Sequence, residues 1–313
     1  MTAGAATSLR GPTTNVDALL ALRAVRLPRR DAQTRTGAIG GARLTRLRGR
    51  GIDFAEVRLY QPGDDARSID WRVTARKTRV HTKVYREERE RPTLILVDQR
   101  RQMYFGSRVR TKSVAAAEIA ALLAWHAVDG GDRVGGVVLE DHAEALVRPR
   151  RDPRAVVRLI GRIARANREL AFSDRPSSDP MPAAARLNRA LHHLSRLARN
   201  AHRLYVVSDF AGFDSESRQW IAKLARHNTL VGIRVFDPLE AELPPPDLYT
   251  VTDGAVRADL DTRSATARSA HRARFAARGA ELANALRDNR AHLLEIATDA
   301  PTPPLLSARS IRE

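Results

Sequence analysis

Apolar positions along this chain gather into short, dense runs separated by amphipathic stretches. Residues 93–98 read Thr-Leu-Ile-Leu-Val-Asp, a continuous apolar run closed by an acid. Runs this short and uniform are buried on both faces and belong to parallel sheets. Similar runs recur over 132–139, 204–209, 229–236 and 292–296. Between them the spacing turns helical. Residues 112–128 are rich in Ala, Ile and Leu, apolar nearly all round, and closed by Gly130-Gly131. That predicts a helix pressed between a sheet and other elements. Further helices are predicted over 152–168, with Pro153 in its first turn, over 183–200 and 215–227, and over 264–290, where Phe275, Leu282 and Leu286 share a face. Strands alternating with helices predict an open α/β sheet from about Arg91 onward.

The N-terminal third reads differently. Residues 1–14 are small and polar, and a short helix follows with Asn15 as N-cap and Leu19 and Leu22 on one face, stopped at Pro28. From Gly37 to Arg91, glycines and the Pro62-Gly63-Asp64-Asp65 turn break up short alternating runs, one of them carrying Val80, Thr82, Val84 and Tyr85. The expected division is a tail and short helix over 1–36, a β-rich segment over 37–91 and an α/β domain over 92–313. Residues 173–182 read as a loop and Pro244-Pro245-Pro246 as a stiff linker.

Composition narrows the chemistry. The 313 residues are 43% hydrophobic, enough for a packed core, and lack cysteine. Disulfides, a thiolate nucleophile, iron–sulfur clusters and Cys-rich zinc sites are excluded. Net charge is +18, and only Lys77, Lys83, Lys112 and Lys223 are lysines, so 50 of the 54 cations are arginine. Such a balance predicts attraction to nucleic acid, anionic lipid or acidic protein and says nothing about fold. No secretory leader is legible, and no window approaches the ~20 apolar residues of a membrane span, so the chain reads as soluble and cytoplasmic.

Catalytic motifs are missing: no Walker lysine loop, no Gly-x-Gly-x-x-Gly after a strand, no Gly-x-Ser-x-Gly elbow and no convincing acid–base pair. His192 and His193 are adjacent on a helix and point about 100° apart, a poor metal pair. His126 is expected to pack in the core. Glu87, Glu88 and Glu90 among Arg86, Arg89 and Arg91 read as a solvated ion-pair ladder. Three predicted strands finish on acids, Asp98, Asp209 and Asp237. Ligands of open α/β sheets sit at the carboxyl ends of strands, although Asp also caps helices there.

The densest segment spans 48–76. Asp64, Asp65 and Asp70 alternate with Arg67, Arg72 and Arg76, Gly63 permits the turn, and Ile69 and Trp71 are expected to anchor it in apolar surroundings. Carboxylates this close to guanidiniums favour forked hydrogen bonds, and spacing alone favours an internal network that stiffens the loop. The core Gly63-Asp-Asp-x-Arg67-x-Ile-Asp70-Trp71, then Thr74-Ala-Arg76, the run at 87–90, Leu96-Val-Asp98, Phe105-Gly106, Lys112-Ser113, Ala124-Trp125 and Gly131-Asp-Arg-Val-Gly135 closely resemble the DUF58 signature. The likeness covers roughly Gly37 to Leu139 and then fades.

The resemblance implies a von Willebrand factor A-like (Rossmann-like) open sheet with helices on both faces, preceded by a small β-rich segment. It also implies work with a MoxR-type AAA+ ATPase in protein assembly or remodelling, often near the envelope, here in a short soluble form. Such sheets often hold Mg²⁺ through Asp-x-Ser-x-Ser, a second-loop Thr and a later Asp. This chain reads Asp98-Gln99-Arg100-Arg101-Gln102, so Arg100 and Gln102 replace the serines, and no threonine lies between Thr111 and Thr229. Asp98 and Asp209 are the remnant. A guanidinium there repels a cation by ~4 kcal/mol per unit charge at ~4 Å with an effective dielectric of ~20.

The expectation is therefore a non-enzymatic interaction module, without cofactor or metal. Gly63, Asp64, Asp65, Arg67, Asp70, Trp71 and Arg76 would meet the partner, a MoxR-type ATPase with an envelope complex behind it. The protein would be cytoplasmic, and peripheral at the inner membrane only through partners. The alternative is an arginine-driven binder of nucleic acid or anionic surfaces. Acids mixed among the arginines and only 5% aromatics weigh against it.

Overall fold

A computed structural model describes residues 8–25, 52–61, 64, 66–77, 79–87, 92–172, 181–252 and 257–306. The chain divides into two compact units, residues 1–29 with 91–313, and residues 30–90. The larger unit begins with α1 (Val16–Ala21), whose N-cap Asn15 accepts from the backbone N–H of Ala18, followed by a 3₁₀ turn over Leu22–Ala24. The smaller unit pairs β1 (Ile52–Leu59) antiparallel with β2 (His81–Glu87), bulged between Phe54 and Glu56, and between these strands lies the one-turn helix α2 (Trp71–Thr74).

The larger unit continues through β3 (Thr93–Asp98), α3 (Lys112–Asp129), β4 (Val134–Leu139), β5 (Glu144–Arg150), α4 (Pro153–Phe172), α5 (Ala183–Leu197) and β6 (Arg203–Ser208). Then come α6 (Ser215–Ala225), β7 (Thr229–Phe236), α7 (Pro238–Ala241), a hairpin of β8 (Leu248–Thr252) and β9 (Arg257–Asp261), α8 (Ala265–Asp288), β10 (His292–Ala297) and α9 (Thr302–Leu306). Six strands form one sheet in the order β10-β7-β6-β3-β4-β5, parallel except for β5. This is the mixed α/β sheet flanked by helices that the strand–helix alternation predicts.

Alternation along β3 sorts the core into two layers. Ile95 and Val97 face α1, α3 and α4, while Leu94 and Leu96 face α5, α6 and α8. Each such side chain, fully buried, stabilises the fold by ~1.5–3 kcal/mol. α3 is covered along nearly its whole length, which accounts for its uniformly apolar composition. Gly136 is required where β4 meets β3, because a Cβ there would lie 2.1 Å from the carbonyl oxygen of Ile95.

One guanidinium ties the segment at Leu9 to the segment at Thr298 and Ala300. The Nη1 of Arg110 donates to Glu118 at 2.7 Å, its Nε donates to the carbonyl of Thr298, and its Nη2 donates to the carbonyl of Ala300. Glu118 also accepts the N–H of Leu9 at 2.6 Å. Both partners of the Arg110–Glu118 pair have fully buried side chains.

Several local expectations change. His126 is exposed on α3 instead of packed, because it lies in the last turn, where the helix leaves its cover. β5 was not legible: of its seven residues only Val147 is buried, and Arg148, Pro149 and Arg150 blur the alternation. The segment beyond the triple proline is followed by the β8–β9 hairpin. The helices predicted over 183–200 and 215–227 end earlier, at Leu197 and Ala225. No described helix is long and apolar enough to cross a membrane.

Candidate functional site

The carboxyl ends of β3, β6 and β7 bring Asp98, Asp209 and Asp237 to one edge of the sheet. Arg100, two residues past β3, folds back onto Asp98. Its Nε donates to Oδ1 at 3.0 Å, its Nη2 to Oδ2 at 2.6 Å and its backbone N–H to Oδ1 at 3.0 Å. The hydroxyl of Ser208 donates to Oδ2 at 2.6 Å. Every oxygen of Asp98 is thus engaged by protein donors, and both side chains of the pair are 0% exposed. The Nη1 of Arg100 donates to the carbonyl of Ala183 at 2.9 Å, and its Nη2 donates also to that of Ala211 at 3.3 Å. Gly212, at φ +85°, lets that loop press against α5, since a Cβ there would lie 2.5 Å from the nitrogen of Ala184.

Asp209 lies 3.9 Å from Arg100 and is held chiefly by other groups. Its Oδ1 accepts from the Gln102 amide at 3.1 Å, and its Oδ2 accepts from Lys112 Nζ at 2.9 Å. Lys112, the first residue of α3 and 2% exposed, also donates to Glu240 at 2.7 Å. Phe210 follows in left-handed backbone (φ 57°), pinned by the hydroxyl of Ser208 on its N–H. Asp237 is a helix cap: it accepts from the N–H of Leu239, from Ser107 and from the hydroxyl of Thr298, and forms a capping box with Glu240.

These contacts set the charge states. Burial pushes the Asp209 carboxyl up, but Lys112 and Arg100 beside it outweigh that and hold it below the usual carboxylate range. Burial pushes Lys112 down, and Asp209 and Glu240 reverse this to leave it above its ordinary value. Arg100 follows the same logic, with burial opposed by Asp98, Asp209 and Asp141. Arg100, Lys112 and Asp209 are each held in the charged form by these neighbours.

In the smaller unit, Asp64 pairs with Arg58 at 2.7 Å and accepts the N–H of Gln61; Arg58 lies well upstream of the arginines that spacing suggested. Asp70 caps α2, accepting the N–H groups of Arg72 and Val73. Ile69 bridges to Thr82. Trp71 was expected to anchor the loop; it is instead 69% exposed, on a four-residue helix too short to bury any of its residues. Arg67 and Arg76 are exposed. Gly63, Asp65, Glu88 and Glu90 lie outside the described residues, as does Pro28.

The family model for DUF58, a protein of unknown function, matches residues 56–284. The chain belongs to the DUF58 family. The match extends well past Leu139, where the likeness of the sequence was expected to fade. Among curated proteins, the uncharacterized proteins Rv1480 of Mycobacterium tuberculosis and Mb1516 of Mycobacterium bovis are 31% identical over 299 residues, 93% of this chain and 88% of theirs. Solved structures with a similar trace include the conserved hypothetical protein BatB from Bacteroides thetaiotaomicron. It is 13% identical with a TM-score of 0.42, over 69% of this chain and 95% of that one. Another is an aerotolerance-related membrane protein from Bacteroides fragilis, 15% identical with a TM-score of 0.37, over 71% and 98%.

Within this DUF58 chain, sequence reasoning singled out Asp98, Arg100, Gln102 and Asp209, and the fold gathers all four. It missed Lys112 as a charge at this edge, and Ser208 and Glu240 as its partners. Two signals pointed to Lys112: Lys112-Ser113 belongs to the signature stretch, and Lys112 is one of only four lysines, placed at the start of the most apolar helix.

Proposed function

We propose that this DUF58 protein is a non-enzymatic interaction module that works with a MoxR-type AAA+ ATPase in assembling or remodelling a third protein. The contact surfaces are the carboxyl edge of the sheet and the segment around Asp64–Arg76. The energy comes from the partner, since the chain carries no nucleotide loop. It acts in the cytoplasm and reaches the inner membrane, or an envelope complex, only through partners.

The observation that carries this reading is the burial of Arg100 on Asp98. A divalent ion needs open carboxylate lone pairs and waters. Asp98 has none open, and the Lys112 ammonium occupies Asp209. The residues do not fit Mg²⁺, and the edge is read as a metal-free platform descended from a metal site. Trp71 adds support, since a large exposed aromatic beside charged groups is a typical anchor of a protein contact.

Two measurements test the reading. Calorimetric titration with Mg²⁺ and Mn²⁺ is expected to show no saturable one-to-one binding; micromolar binding lost in Asp98→Ala sinks the metal-free platform. In an assay of ATP hydrolysis by a MoxR-type ATPase from the same organism, the wild-type chain is expected to change the rate. Trp71→Ala should remove that effect while altering stability by no more than about 0.5 kcal/mol.

A further inference from the structure

β5 is the edge strand beside β4, so among the described residues one side of its backbone has no strand neighbour. A groove runs along each of its faces. The groove toward α5, about 850 Å³, is lined by Arg133, Arg148, Arg196 and Arg199 together with His193 and His202. The groove toward α4, about 640 Å³, adds Arg150, Arg158, Arg162 and Arg165 and shares Arg148 and Leu146 with the first. No carboxylate lines either groove.

Arg165 is neutralised by Glu140 and Glu169. Arg148, Arg150, Arg158, Arg196 and Arg199 have no ion-pair partner among the described residues. Burial, with the Arg199 charge adding to it, holds His202 below its ordinary range. These five arginine side chains are exposed, and with no carboxylate lining either groove their charges add up there without an acid to offset them. Charge and proline on an edge strand discourage pairing between copies, and Arg148, Pro149 and Arg150 serve that purpose. That purpose does not call for Arg158 from α4 on one face and Arg196 from α5 on the other.

We propose that this edge receives an acidic, extended segment of a partner protein, which adds a strand beside β5 and places its carboxylates in the two grooves. Successive side chains of a strand point to opposite faces, and the arginines stand on opposite faces. Leu146, 46% exposed and shared by both grooves, supplies the apolar contact at the centre. Pro149 offers no N–H, so residues 144–148 are the pairing length. Neither groove holds a Phe, Tyr or Trp ring for base stacking, which favours a peptide over single-stranded nucleic acid. This surface is separate from the Asp98 edge, and its test does not depend on the ATPase partnership.

The probe is a fluorescent peptide of about ten residues in which Glu-Glu and Val-Val pairs alternate, so that carboxylates stand on both faces of the strand, titrated with the full chain by anisotropy. A Lys-Val peptide and a labelled DNA duplex run in parallel. The acidic peptide is expected to bind with a Kd on the order of 10 μM, and the Lys-Val peptide not at all. Arg148→Glu with Arg196→Glu should weaken binding about tenfold or more with the unfolding midpoint preserved. N-methylation of alternate peptide amides, which keeps charge and removes strand donors, should weaken it comparably. Absence of acidic-peptide binding overturns the proposal, as does equal binding by the charge-reversed chain or by the N-methylated peptide. Tighter binding of the duplex than of the peptide at physiological salt overturns it in favour of a nucleic-acid surface.

Discussion

The two edges of the sheet treat the same residue type in opposite ways. At the carboxyl edge, Arg100 is fully buried, and each of its three guanidinium nitrogens donates to an oxygen of Asp98, Ala183 or Ala211. Along β5, Arg148 and Arg150 stand in water with no acid near them. The difference is one of solvation. A buried guanidinium costs several kcal/mol unless its partners are in place, whereas an exposed one needs none. Counting arginines therefore says little, and asking which ones water can reach separates the structural ones from those available to a ligand.

The largest break in this comparison comes from the buried side. Arg100→Met leaves Asp98 buried and uncompensated and is expected to lower stability by about 3–5 kcal/mol in urea unfolding. Adding Asp98→Leu should recover much of that loss, because the pair is then replaced by apolar volume; an undiminished loss in the double variant shows that backbone contacts dominate instead. A smaller effect comes from pH. The folded Asp209 carboxyl is depressed, so its contribution is present above the unfolded value of about 3.9 and is lost as pH falls through the folded value. Lys112 is raised, so its contribution is fully present below about 10.4 and is lost only as pH rises through its folded value. The stability difference between wild type and Asp209→Asn should hence be flat around neutrality and shrink below about pH 4; a difference growing toward acid reverses the assignment. Smallest of all, Arg148→Ala with Arg196→Ala should change stability by no more than about 0.5 kcal/mol, read by the same urea titration. A large loss there would mean those side chains are structural.

Legibility in the sequence followed how local the physics is. The run at 93–98 announces a doubly buried strand because every residue contributes to one message, and the same holds for α3. Arg100 was legible as an intruder because it stands where a serine would be expected, two residues from its partner. Lys112 with Asp209 was not, since 97 positions separate them and only the sheet order brings them together. β5 escaped because an edge strand buries too little to impose alternation. Trp71 misled for a related reason: an aromatic among charges reads as an anchor, and only the short helix at 71–74 shows that it faces outward.

Arg110 has a consequence for handling the molecule. Through Glu118 and Leu9 it grips the start of the described chain, and through Thr298 and Ala300 it grips the finish. Deleting the segment around Leu9 or the one around Thr298 and Ala300 therefore opens a sealed ionic lock, and either deletion exposes the same buried pair.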